Sequence, residues 1–177
     1  MTVPFDRPIR RVDWFLVALL STLVFVVAHR LAFLSPYVIN DDVRQQIFWM
    51  ARWLDPGLYP PDLLGSYAAA YVPVGVKSLY FVAVKGVGLD PILFSKLLSG
   101  GLFVLLALAF YGLGHHLEGR TLGWFAAAMA WLLPFFLKNI SGGLSRSFAG
   151  PLLALSLLAW MRRSDRAMAA ILWVETL

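Results

Sequence analysis

The stretch YVPVGVKSLYFVAVKGVGLDP, Tyr71 to Pro91, decides how the chain is threaded. It is apolar over about the length needed to cross a bilayer, yet it carries Lys77 and Lys85. At 100° per residue the two lysines fall on one side of a helix, near Ser78 and Phe81. That pattern suits a helix lying in the membrane interface better than one passing through it. If this stretch does not cross, the rest of the chain sorts onto two sides of a membrane.

Composition makes the membrane the natural solvent. Of 177 residues, 60% are hydrophobic and only 14% are charged. Soluble domains run nearer half apolar with about a quarter charged, so this chain has too little polar surface to cover a water-facing globule. The net charge of +5 does not point to nucleic acid, because the Arg and Lys residues sit mostly at the ends of apolar runs. Basic residues so placed set membrane orientation. With no cysteine, there is no disulfide framework, thiolate metal site or cysteine nucleophile.

Upstream, WFLVALLSTLVFVVAHRLAFL, Trp14 to Leu34, has 21 residues, about 30 Å of helix and enough to span. A cleaved signal peptide would share its basic start and apolar middle. An uncleaved anchor is simpler, since the rest of the chain is equally membrane-like. Arg30 lies near the far end, where it can snorkel to the headgroups. Downstream, apolar runs predict membrane helices at about 92–114, 121–138 and 148–161, with Pro134 kinking the second of these. The last segment, 167–177, is too short to cross, and suggests the front part of a longer multi-pass protein. The chain thus reads as a single all-α membrane domain over 1–177. It is a multi-pass transmembrane helix bundle with interfacial helices in a long first outer loop, 35–91.

Charge orients it. The N-terminus, HHLEGR and RRSDR place Arg7, Arg10, Arg11, Arg120, Arg162, Arg163 and Arg166 in three short segments on one side. The other side has similar totals, but spread over a long loop that also holds five aspartates; counting positive charge in short loops therefore puts the first side, and the N-terminus, in the cytoplasm. The expected location is the inner (plasma) membrane of a bacterial cell.

The outer loop opens with NDDVRQQIFWMARWL, Asn40 to Leu54. As a helix it lines up Val43, Ile47, Met50, Ala51 and Leu54, with Trp49 and Trp53 at the borders, as an interfacial amphipathic helix would. Pro56-Gly57 then suits a type II turn, and Pro60-Pro61 keeps the following chain extended. Asp42 with Gln45 three residues on fits a capping box. Asp41 is the carboxylate that this duty leaves unexplained.

A carboxylate at the outer surface with basic groups close by can deprotonate a hydroxyl or hold a divalent cation such as Mg or Mn. Asp41 and Asp42 are the candidate catalytic residues, and Asp41 the candidate metal ligand. Arg44, Arg146 and Lys77 are the candidate substrate-binding residues, since basic groups attract lipid-linked phosphate and an Arg fork can bind two of its oxygens. SGGLSRSFAG, around Arg146, is the expected second half of the site, with Gly142 and Gly143 allowing close backbone approach and Ser145 and Ser147 offering hydroxyls. The plainer alternative makes these residues a helix cap, a turn and a headgroup anchor. His115-His116 reads as a solvated turn, and NIS at Asn139 as a chance match to the glycosylation pattern.

This layout resembles the front of a bacterial GT-C-type membrane glycosyltransferase, the superfamily that includes the protein O-mannosyltransferases and lipid A aminoarabinose transferases. The resemblance rests on a first membrane helix, the acidic pair Asp41-Asp42 at the start of the first outer loop, the break YPPDLL and the closely spaced helices after it. It implies transfer of a sugar from a polyprenyl-phosphate carrier on the outer face, with membrane lipid and the carrier as partners. Asp41 would be the catalytic carboxylate or a metal-binding group, and Asp42 its neighbour. Many members have Asp-Glu where this chain has Asp-Asp, and most are several hundred residues long, so this chain alone is expected to be inactive. A non-enzymatic membrane protein, either a transport component or an assembly subunit, is the alternative.

Overall fold

A computed structural model describes residues 8–59 and 62–175; Arg7, Pro60, Pro61 and the last two positions of the expected 167–177 segment lie outside them. Among the described residues every regular element is helical. The helices are α1 (Arg11–Ala28), α2 (Arg30–Leu34), α3 (Asp41–Gln46), α4 (Leu63–Tyr71), α5 (Val74–Phe81), α6 (Pro91–Glu118), α7 (Arg120–Leu132), α8 (Pro134–Ile140), α9 (Ser145–Met161) and α10 (Asp165–Glu175). A 3-10 helix, Phe48–Trp53, follows α3, and α5 runs on into a π-helical turn, Val82–Gly86.

The longest helix, α6, organises the rest. Asp90 caps it by accepting from the Leu93 amide at 2.9 Å, and Pro91 fills the first turn, where no amide hydrogen is needed. Its 28 residues make about 42 Å of helix, longer than the hydrocarbon core of a bilayer. The helices α1, α7 and α9 pack along it, with Val17, Phe25, Phe103, Leu106, Ala127 and Ala154 in the shared core. The chain runs along α1, back along α6, out along α7 and back along α9. From α1, Val17 and Phe25 enter this core.

Two contacts fix the end of the bundle where α1 starts. Asp13, 1% exposed, accepts from Arg120 Nε and Nη2 and from the Tyr111 hydroxyl at 2.9–3.2 Å. A buried carboxylate needs such partners. Next to it, Trp14 and Leu158 both close on Gly112. The start of α1, the α6–α7 turn and the α9–α10 turn therefore gather at one end. Arg120 is not a free orienting charge there, because it pairs with Asp13.

Two helices, α1 and α6, are long and apolar enough to cross a membrane, or up to four if the bent pairs α4–α5 (106°) and α7–α8 (64°) each count as one span. The expected spans differ in detail. The 14–34 run ends at Ala28 and restarts at Arg30, with the His29 ring stacked on Phe25 at 4.2 Å. Lys96 closes the far end of α2 by donating to the Ala32 and Ser35 carbonyls, groups a helix C-terminus leaves unpaired. The 92–114 run continues to Glu118, so His115 and His116 lie on the last turn of α6 and not in a linker. Pro134 breaks the 121–138 run instead of kinking it, because it pushes Leu133 into an extended conformation (ψ 110°). The 148–161 segment begins three residues early, at Ser145; at 17 residues it is short for a span.

The loop between α2 and α6 folds into a second core. Val43, Ile47, Trp49, Met50, Ala68, Val72, Tyr80 and Leu144 are buried together, with Phe94 and Leu98 of α6 packed against them. The face expected to rest on the membrane, Val43–Ile47–Met50, is thus turned into the protein, while Leu54 stays 45% exposed. The turn after it is closed by the Leu58 amide on the Asp55 carbonyl at 3.1 Å. Gly57 does not have the positive φ that a type II turn demands; Tyr59 does, at 47°.

The close approach of α6 and α7 depends on Gly114, where an added Cβ would sit 2.5 Å from the Leu122 carbonyl oxygen. Backbone cannot yield as a side chain can, so Gly114→Ala is expected to cost about 1–3 kcal/mol. Gly101→Ala meets nothing within 4 Å and is expected to be neutral or slightly stabilising, since Ala is the better helix former. Thermal unfolding of the two variants in detergent, side by side, checks the difference.

Candidate functional site

At the opposite end of the bundle, the start of α3 meets the loop between α8 and α9. Asn40, not Asp42, caps α3: its Oδ1 accepts from the Asp42 amide at 3.0 Å. Asn is as good a cap as Asp, and it stands first in the NDD run. With the cap position filled one step earlier, Asp41 and Asp42 fall in the first turn, where a carboxylate favours the positive end of the helix dipole. Gln45 donates to Asp41 Oδ2 at 3.3 Å, four residues back along the helix. The expected Asp42–Gln45 capping box does not form, because Gln45 faces Asp41.

Asp42 looks the other way. Its Oδ2 lies 2.7 Å from Arg146 Nη2, with the side chains 32% and 53% exposed. An ion pair this open to water contributes little stability, about 0–1 kcal/mol. Its importance is positional, since it joins the acidic turn to the glycine-serine loop. Asp41 is exposed beside it.

That loop is held by side chains from four elements. Asn40 Nδ2 donates to the Ser141 carbonyl at 3.4 Å. Ser99 of α6 accepts from the Gly142 amide at 3.0 Å, and its own hydroxyl donates to the Ser95 carbonyl at 2.8 Å. Tyr80 of α5 donates to the Gly143 carbonyl at 3.2 Å, and Ser147 accepts from the Leu144 amide at 3.2 Å. Gly143 is required twice over. Its φ is +60°, and a Cβ there would lie 2.8 Å from the Ser95 carbonyl oxygen.

Of the residues singled out from sequence, Asp42 and Arg146 are brought into contact and Asp41 stands next to them. Arg44 is exposed in the last turn of α3, outside the ion pairs found among the described residues. Lys77 does not reach this turn: its Nζ donates to the Ala69 carbonyl at 3.0 Å, at the end of α4. Asn40, Tyr80, Ser95, Ser99 and Lys96 were not foreseen. Asn40 was readable as a cap from its place before the acidic pair; nothing local in the sequence marks the others.

A cleft beside the loop is lined by His29, Asn40, Ser95, Lys96, Ser99 and Ser141, among others, and its cavity volume is about 30 Å³. That holds a water or two and not a sugar ring. Nor does the donor set suit a divalent cation held by protein alone. Asp42 is already matched to a guanidinium, and among the described residues no three His, Asp or Glu side chains converge. The surface can instead offer an anion the remaining donors of Arg146, and a proton the open carboxylate of Asp41.

Gly143→Ala is expected to destabilise the protein by about 1–3 kcal/mol through that backbone clash. Tyr80→Phe, which leaves the buried Gly143 carbonyl without its donor, is expected to cost about 1–2 kcal/mol. Denaturation midpoints in detergent check both; values indistinguishable from the parent would mean that the loop is not held as described. No protein-family model, curated protein or solved structure matches this chain.

Proposed function

We propose that this chain serves a membrane glycosyltransferase activity that takes a sugar from a polyprenyl-phosphate carrier at the outer face of a bacterial inner membrane. The observation that supports this reading is the meeting of the acidic turn with the glycine-serine loop, where Asp42 and Arg146 pair at 2.7 Å and leave Asp41 exposed alongside. The resemblance to GT-C-type enzymes implies a reacting carboxylate at this point of the chain. The clustering of Arg10, Arg11, Arg162, Arg163 and Arg166 towards the other end favours a cytoplasmic N-terminus.

In this reading the Asp41 carboxylate accepts the proton of an acceptor hydroxyl as its oxygen bonds to the anomeric carbon. The bond from that carbon to the phosphate oxygen breaks, and the electron pair leaves with the phosphate. Attack opposite the leaving group inverts the sugar. Arg146, with about half its side chain exposed, keeps N–H donors for the phosphate, and Arg44 adds positive charge nearby. No step requires a divalent cation.

Transfer from a polyprenyl-phosphate-linked sugar, assayed in membranes carrying the full-length protein, is expected to fall on the order of 100-fold or more for Asp41→Asn. Asp42→Asn, which only loosens Arg146, is expected to lose less. Unchanged turnover in Asp41→Asn would sink the catalytic role. The second reading, a non-enzymatic transport component or assembly subunit, would then stand. It draws on the fact that Asn40, Asp42 and Arg146 are all accounted for by bonds within the fold.

A further inference from the structure

Sequence alone assigns the membrane-resting surface of the outer loop to the tryptophan-rich stretch after Asp41, but Trp49 and Met50 are buried. The exposed apolar surface lies on α4 instead. Leu63, Leu64, Tyr67 and Tyr71 are 90%, 73%, 69% and 61% exposed, and Val74, just beyond, 67%. At helical periodicity the four α4 residues fall within about 100° of arc. The opposite face, Gly65 and Ala68, is buried, so α4 turns small residues inward and its larger apolar side chains outward.

We propose that this face of α4 rests in the bilayer interface at the site end of the bundle, with lipid as its partner. The proposal rests on the reading of α1 and α6 as membrane-crossing helices. Three observations favour lipid. Ala68 and Val72 share a core with Phe94 and Leu98, which sets α4 level with the first two turns of α6, at the edge of its apolar length. Leu63–Tyr71 contains no charged residue, and the nearest amine, Lys77, is tied back to the Ala69 carbonyl instead of standing on the face. Tyr67 and Tyr71 stack with ring centroids 6.0 Å apart, giving an apolar surface with phenol hydroxyls, the composition enriched at membrane–water boundaries. An anchor there would hold the α3 turn, which packs on α4, at the headgroup level where a lipid-linked phosphate lies.

The absence of cysteine makes single spin labels straightforward. The full chain, reconstituted in phosphatidylglycerol–phosphatidylethanolamine vesicles, would carry one label at Leu64→Cys, Tyr67→Cys, Asp41→Cys or, on the outward face of α1, Leu23→Cys. Power saturation with oxygen and with a water-soluble nickel chelate then reads depth. Labels at 64 and 67 are expected roughly 5–10 Å below the headgroup boundary, with 41 in water and 23 deep in the hydrocarbon. Labels at 64 and 67 in water, with 23 deep, would overturn the seating of α4 alone. Labels at 64 and 67 shielded from both reagents would show protein covering the face, and would overturn it too. A label at 23 in water would overturn the membrane reading on which the proposal rests.

Discussion

The peptide groups of Gly142, Gly143 and Leu144 are buried, and a buried peptide group must find a hydrogen-bond partner. The flanking helices supply two partners, the Ile140 carbonyl of α8 for the Gly143 amide and the Ser147 amide of α9 for the Leu144 carbonyl. The others come from side chains: Ser99 of α6 for the Gly142 amide, Tyr80 of α5 for the Gly143 carbonyl, and Ser147 of α9 for the Leu144 amide. Asn40 adds a bond to Ser141 from the start of α3. Satisfying one short loop therefore draws four elements to one point, and the acidic turn is delivered there as a consequence. Gly143 is the steric condition for it, since any Cβ would collide with α6.

The other end of the bundle is held by charge. Asp13 is buried only because Arg120 and the Tyr111 hydroxyl converge on it, and this joins the start of α1 to the end of α6 and the start of α7. Between the two ends the packing is mostly apolar, crossed by one bond from Trp131 Nε1 of α7 to the buried Ser21 hydroxyl of α1 at 2.9 Å, with small residues letting α6 and α7 approach. The molecule is thus pinned by polar contacts at its ends and filled by hydrophobic contacts along its length. A membrane-crossing bundle would be built in the same way, because polar groups are costly at mid-bilayer and cheap at the interfaces.

Much of the helical layout was legible. Long apolar runs act locally, through hydropathy that each segment carries with it, and Pro134 marks a disturbance in the third run, though it breaks the helix where a kink is expected. The meeting of the acidic pair with the glycine-serine loop was anticipated from topology, because both stretches fall on the same side once the helices are counted. The roles within it were misassigned. The spacing to Gln45 points to Asp42 as the cap, yet Asn40 holds that position and Asp42 reaches Arg146. A one-residue shift in a helix start rotates every following side chain by about 100°, and capping preference among Asn and Asp is too even to settle such a shift.

By itself the sequence determined that this protein is helical and apolar, with Arg10, Arg11, Arg120, Arg162, Arg163 and Arg166 in short segments that fall at one end. Those properties follow from residue type and spacing, and no distant partner can undo them. Which apolar face turns inward was decided only by tertiary structure. The Val43–Ile47–Met50 face and the α4 face are both apolar at helical spacing, and either could have met lipid. Tyr80, Leu144, Phe94 and Leu98, far away in sequence, complete a core with Val43, Ile47 and Met50, and that left Leu63, Leu64, Tyr67 and Tyr71 outside. Periodicity identifies an apolar face, but only the neighbours brought by the fold say what covers it.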